Sequence, residues 1–234
     1  MVVEQSKAKV ALLPLFSVPV GVYNLSESSH KMNSNLITDV YKEKGKNPEG
    51  VQNSNFGGWH SEAGLEEKYL SFSELKIKIE ECADHYCETF GFAGSLECFD
   101  LWANVSGPCN MNFPHHHSQS ALAGVYYPVE SITQGKRNFN YQQGEVFLEP
   151  GNWNQKDGGS FVVYDPSYSK KIHLEPDAET PYTTSMYHMY PTSGVLVLIP
   201  TYLIHTVIPF KEDKERISIS FAFHYNFDGE YGED

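Results

Sequence analysis

The residues best equipped for chemistry in this chain are its histidines. There are ten, and three stand together as His115, His116 and His117, after Pro114 and just upstream of the apolar run Leu122 to Tyr127. In an extended segment, residues i and i+2 share a face with Cα atoms about 6.5–7 Å apart. His115 and His117 can therefore converge on one ion while His116 points away; in another register His116 could ligate instead. A facial site with open positions needs a third ligand from elsewhere, and His205 is the natural candidate. It follows the run Val195 to Ile204, which reads as a strand, a tight turn and a second strand carrying the histidine back toward the first pair. Imidazole suits iron, zinc, copper and nickel alike, so ligand type alone does not choose the metal.

A second feature lies eleven residues further on. The only arginines are Arg137 and Arg216, the remaining basic residues being lysines, so any fixed planar fork of donors must come from one of these two. In the segment Glu215 to Phe221, period two places Arg216, Ser218 and Ser220 on one strand face and Ile217, Ile219 and Phe221 on the other. A guanidinium inside a barrel is costly unless paired. A small dicarboxylate would supply the partner, taking a bidentate contact from Arg216 and a hydrogen bond from Ser218. Plainer readings stand beside each piece: a surface histidine run, a hydrogen-bonded turn histidine at 205, and a strand-edge ion pair between Arg216 and Glu215. The ordered constellation of a histidine pair before a strand, a distant histidine and an R-x-S one strand later favours the functional reading.

The elements that must position these groups are mostly strands. Short alternating or apolar runs separated by Gly, Pro, Asn and Asp predict strands near 96–105, 121–128, 160–164, 183–190, 194–199, 203–209 and 215–225. Ahead of them, Phe72, Leu75, Ile79, Cys82, Ala83, Tyr86 and Phe90 recur at helical spacing, with Ser71 and Glu74 placed for a capping box and Gly91 for a C-terminal cap. A weaker pattern around Leu36, Ile37 and Tyr41 suggests a short helix, and Val10 to Leu25, broken by Pro14, Pro19 and Gly21, reads as an edge strand or arm. The polar stretch of about 130–159 reads as an insertion between strands, and Asp228 to Asp234 as a frayed terminus. One domain over 1–234 is expected, with an N-terminal strand and helical part at 1–95 and a β core at 96–226.

Composition narrows the function classes. A chain of 234 residues with 40% hydrophobic and 14% aromatic content has ample material for a core. The formal charge of −13 opposes attraction to nucleic acid and to anionic membrane surfaces, and argues against strongly anionic substrates. Cys82, Cys87, Cys98 and Cys109 lack paired metal or redox spacing and read as reduced thiols. No signal-like start and no apolar stretch near 18 residues is found, so a cytoplasmic setting is the expectation.

The chain resembles the 2-oxoglutarate and iron(II)-dependent oxygenase superfamily, and within it a group of small oxygenases of bacteria and their phages related to the prolyl hydroxylase branch. The likeness is carried by Ser54 to Ser61, Leu101 to Val105, Pro114 to His117 with Ala123 to Tyr127, Gly158 to Phe161 with Tyr164 to Pro166, Ile199 to His205 and Glu215 to Phe221. It implies a mainly β fold, the double-stranded β-helix, a jelly roll related to cupins, with flanking helices. It also implies a dioxygenase that hydroxylates its substrate with release of succinate and CO2, using Fe(II) as cofactor and 2-oxoglutarate as co-substrate. By that analogy His115, His117 and His205 are metal ligands, Arg216 and Ser218 hold 2-oxoglutarate, and Tyr127 and Asn104 are further co-substrate contacts. No catalytic residue is implied beyond the metal ligands. The superfamily at large has an acidic residue where this chain has His117, which leaves the bound metal with one more positive charge and should tighten anionic co-substrates.

Trp59, His60, Trp102 and Trp153 could line a substrate mouth but are left unassigned, since aromatics in a β-rich chain are most often core; His60, His173, His188 and His224 lack ligand-like spacing, and Asp165 reads as a turn former. Two other functions compete: a three-histidine dioxygenase of the cupin type that needs no 2-oxoglutarate, and a non-catalytic jelly-roll binding protein. The expected partners are a small-molecule or peptide substrate, with no nucleic acid and no membrane. A homodimer is a base-rate expectation that the N-terminal arm could serve.

Overall fold

A computed structural model describes residues 17–92, 95–130, 149–150, 158–167 and 185–226. Most of the expected insertion at 130–159, the start of the arm, the acidic tail, Arg137, Trp153 and His173 lie outside them. The chain runs β1 (Gly21–Asn24), α1 (Ser26–Lys46), β2 (Asn55–Phe56), β3 (Trp59–His60), α2 (Leu65–Lys68), α3 (Leu70–Phe90), β4 (Ser95–Ser106), β5 (Met111–His115) and β6 (Leu122–Tyr126). It continues through β7 (Glu149–Pro150), β8 (Phe161–Tyr164), β9 (Met186–Met189), β10 (Val195–Pro200), β11 (His205–Val207) and β12 (Arg216–Asn226).

Among the described residues two six-stranded sheets form, ordered β1-β10-β6-β12-β4-β3 and β2-β5-β11-β8-β9-β7. Every paired strand is antiparallel, and the chain crosses repeatedly from one sheet to the other, as a jelly roll requires. This is the mainly β, double-stranded β-helix architecture. β1 is the edge strand expected from the proline-broken opening run and pairs with β10.

The apolar stripe of α3 is buried as its spacing predicts, with Phe72, Leu75, Ile79, Ala83 and Tyr86 packed in one cluster with Leu36 and Val40 of α1 and Leu101, Ile217, Ile219 and Phe221 of the first sheet. Gly91 closes the helix in the left-handed region at φ 73°, donating to Cys87 O. The capping box does not form. The helix begins earlier, at Leu70 after the extended Tyr69, and the Ser71 hydroxyl instead donates to Asp39 Oδ2 of α1 at 2.6 Å. Helix α1 is 21 residues long rather than short. Its apolar stripe is thin, and polar tertiary contacts anchor it: Tyr126 Oη donates to Asn33 Oδ1 (2.6 Å), Tyr69 Oη to Glu43 Oε2 (2.6 Å) and Tyr41 Oη to Glu215 Oε2 (2.5 Å). Hydrophobic periodicity does not register anchors of that kind.

Between the sheets sits a second apolar cluster that includes Val125, Tyr127, Phe161, Val163, Val197, Ile199 and Val207. Gly124 must lack a side chain there, because a Cβ would run into the Phe221 ring and the Val197 carbonyl. The β4–β12 ladder pairs Arg216 with Ser106 and Ser218 with Asn104, then shifts register so that Ser220 meets Trp102 while Ala222 meets Phe99. β4 therefore carries one extra residue opposite Phe221, and Asp100 takes φ +56° at that bulge.

Candidate active site

Strand pairing assembles the histidines. β10 ends at Pro200 in the first sheet, Leu203 N–H closes a turn on Pro200 O at 3.1 Å, and the chain re-emerges as β11 in the second sheet. There His205 is the direct cross-strand partner of His115 on β5. His117, just beyond β5, is tied down by its backbone N–H to Thr201 O (3.1 Å), while the Thr201 hydroxyl donates to Ser120 O (2.6 Å). Ring centroids are 4.3 Å apart for His115 and His205, 5.3 Å for His115 and His117, and 5.2 Å for His117 and His205. One nitrogen from each lies within 4.8 Å of the others, a grouping that could hold a metal ion. His116 is exposed and outside the group.

Two of these imidazoles have their tautomer set by the backbone. His115 Nδ1 lies 2.7 Å from Phe113 O and His205 Nδ1 lies 2.9 Å from Leu203 O. A carbonyl only accepts, so each Nδ1 carries the proton and each Nε2 keeps its lone pair for a metal. Burial, followed by the neighbouring imidazoles, pushes His205 down to about 3 and His117 to about 4, and burial lowers His115 as well. All three are neutral near pH 7, the state a metal requires.

The R-x-S face turns inward. Arg216 is 1% exposed; its Nε–H donates to Gly159 O (3.0 Å), one terminal nitrogen to Ser218 Oγ (3.1 Å) and the other to the Tyr127 hydroxyl (3.1 Å). Among the described residues no carboxylate pairs with it. Glu215 turns outward to Lys44 and Tyr41, which disposes of a strand-edge pair with Arg216. A buried guanidinium supported by neutral groups alone is uncompensated and suits an anion from outside the chain.

Histidines and arginine share one cavity of about 540 Å³, whose wall includes His115, His117, His205, Arg216, Ser218 and Asn104. Asn104 Nδ2 donates to Ser220 Oγ at 3.3 Å. Tyr127 is fully buried behind Arg216 rather than on the wall. Sequence reasoning left out His60 and Trp102, which also line the cavity and stack with ring centroids 5.9 Å apart. The one available signal for His60 was its place in the Ser54 to Ser61 segment that carries part of the resemblance. Trp59, by contrast, is core.

The donor set fits a divalent metal: three neutral imidazoles meet at one end of a cavity, and a guanidinium with no carboxylate partner among the described residues faces the same space. Comparison with known proteins agrees. Residues 100–222 match the family described as putative 2OG-Fe(II) oxygenase. No curated protein matches. Among solved structures, a Pseudomonas putida prolyl-4-hydroxylase aligns at TM-score 0.58 and 11% identity, covering 91% of this chain and 95% of that one. The non-heme alpha-ketoglutarate-dependent epimerase SnoN from nogalamycin biosynthesis aligns at 0.58 and 12%, covering 92% and 81%. A Trichoplax adhaerens prolyl hydroxylase, solved with a hypoxia-inducible-factor peptide, aligns at 0.55 and 13%, covering 88% and 83%. These likenesses establish the shared fold, and the family match spans more than half of the chain, including all three histidines and Arg216; the chain belongs to the 2-oxoglutarate and iron(II)-dependent oxygenases.

Proposed function

We propose that His115, His117 and His205 hold iron(II), that Arg216 and Ser218 anchor the distal carboxylate of 2-oxoglutarate, and that the protein hydroxylates a C–H bond of a small-molecule or peptide substrate. The observation that carries the proposal is the buried Arg216, without a carboxylate partner among the described residues, opening onto the same cavity as three neutral imidazoles. When bound, iron(II) with 2-oxoglutarate supplies oxygen activation: substrate, dioxygen and 2-oxoglutarate become hydroxylated substrate, succinate and CO2.

The chain's own residues bind, orient and exclude water. Nδ1–H donation to Phe113 O and Leu203 O fixes the ring planes of His115 and His205. Gly159 O and Tyr127 hold the guanidinium so that its fork is set before the co-substrate arrives. Ser218, already bonded to Arg216 Nη1, can turn its hydroxyl proton to the incoming carboxylate. Val125, Phe161, Ile199 and Val207 form apolar wall between these polar groups and keep the space dry. Asn104 is a second neutral donor on the same wall.

The deciding experiment is an anaerobic iron(II) titration with and without 2-oxoglutarate. A metal-to-ligand absorption band is expected only when both are present, and in Arg216→Leu it should need about a hundredfold more 2-oxoglutarate to appear while iron stoichiometry is kept. The three-histidine set also suits a dioxygenase independent of 2-oxoglutarate; turnover without the co-substrate, unchanged in Arg216→Leu, would decide for that chemistry instead.

A further inference from the structure

The cavity is polarised. Its inner half presents donors, Arg216, Ser218 and Asn104, suited to a dicarboxylate. The other half presents acceptors. Glu62 and Asp100 both line it, and among the described residues Arg216 is the only lysine or arginine on the wall. Glu62 is an exposed carboxylate only loosely paired, 3.8 Å from Lys68 Nζ, and Asp100 has no ion-pair partner among the described residues. Deeper in stands His60, 6% exposed. Its Nδ1 lies 2.6 Å from Ser61 O, so that nitrogen carries the proton and Nε2 keeps its lone pair on a ring that lines the cavity. Nothing among the described residues hydrogen-bonds it. Trp102, stacked on His60, adds an aromatic wall, and Asn112 Nδ2 and Ser54 Oγ, also on the wall, bond to each other at 3.1 Å.

Two carboxylates, an unpartnered imidazole lone pair and an indole together recognise a donor-rich cation. We infer that the primary substrate carries a protonated amine, received by Asp100 and Glu62 at the mouth and by His60 Nε2 further in, above the Trp102 ring. Ordinary alternation puts Asp100, Trp102 and Asn104 on the cavity side and Leu101 and Ala103 in the core, and the bulge at Asp100 switches the strand's faces so that Leu96 and Cys98 lie in the core as well. The inference rests on the oxygenase reading for the identity of the co-substrate but makes its own claim about charge.

The test is calorimetric binding to the anaerobic, iron(II)-loaded full chain with 2-oxoglutarate. The probes are n-hexylamine, L-lysine amide and a lysine-containing tripeptide, each beside its side-chain or amine N-acetylated counterpart. At least one free amine should bind about tenfold or more tightly than its acetylated form, and the preference should shrink in the Glu62→Gln/Asp100→Asn double variant, where Asn tolerates the left-handed backbone at 100. Equal binding within every pair, binding of no amine at millimolar concentration, or a preference for the acetylated forms overturns the inference, and the wild-type comparison decides this even if the variant does not fold. Failure of 2-oxoglutarate to bind the same wild-type sample would strike the oxygenase reading separately, leaving the amine comparison to be judged on its own ratio.

Discussion

Along β12 the residues at 217, 219, 221 and 223 are buried among the helices, while those at 216 and 218 are just as buried on the opposite face. The first set is wholly apolar and its neighbours complete it. The second holds a guanidinium and a hydroxyl whose charge no described residue balances. Burial is nearly the same and satisfaction is not. A core face stabilises the chain by removing apolar area from water, whereas a face holding an uncompensated charge detracts from stability until a ligand arrives. The two faces should therefore respond in opposite ways to substitution.

The largest effect expected is on the histidines. His205→Ala removes the most buried of the three imidazoles, and stoichiometric iron and all turnover should be lost together, read by metal analysis and succinate release, while the fold survives in circular dichroism. Next comes Arg216→Leu. Loss of two charge-assisted contacts to a carboxylate corresponds to about a hundredfold rise in the 2-oxoglutarate dissociation constant. The ligand-free variant should be as stable as the parent or more so, because a buried charge has been replaced by an apolar side chain. Marked destabilisation of that ligand-free variant would show that Arg216 is structural and would erase the contrast. Ile219→Ala, three residues on and on the other face, should do the reverse: about 2–5 kcal/mol of stability lost, seen as a lower Tm, with 2-oxoglutarate affinity kept.

A pH series sharpens the same contrast. His205 and His117 are held at about 3 and about 4 against roughly 6.5 in an unfolded chain. Between those values the unfolded chain takes up protons that the folded one refuses, so metal-free stability falls as pH drops below about 6.5 and the loss levels off only below the folded values. His205→Ala should flatten part of that slope. An unchanged slope would mean that the imidazoles are not buried as described.

Much of the site was legible because its parts are local. His115 and His117 share a face by period two, as do Arg216 and Ser218, and the strand, turn and strand read from Val195 to Ile204 carried His205 back toward the pair, in line with the resemblance. The strands and α3 were legible for the same reason, since each repeats an apolar pattern. What stayed hidden depends on events between segments. The bulge at Asp100 switches the faces of β4 partway along, so a single period run from Leu96 and Cys98 puts Trp102 and Asn104 in the core and Leu101 opposite, the reverse of what is found. His60 reaches the site through pairing of the two-residue β3 with Asn104, too short a strand to leave a pattern. The length of α1 rests on Asn33, Tyr41 and Glu43 finding distant partners.

The smallest effect belongs to one of those partners. Glu215 precedes Arg216 and receives the Tyr41 hydroxyl and Lys44 Nζ, which lower its pKa, the tyrosine bond foremost. This exposed contact fastens α1 beside the start of β12. Glu215→Gln should cost no more than about 1 kcal/mol, and less at high salt, as for other surface pairs. If α1 served only as cover, the 2-oxoglutarate affinity would be untouched. If it also holds the β12 entry in register, affinity should weaken slightly at low salt while the Ile219 face, packed by apolar contact alone, shows no such salt dependence. Measuring both variants across ionic strength separates a strand held by its core from one whose functional face is also held from its end.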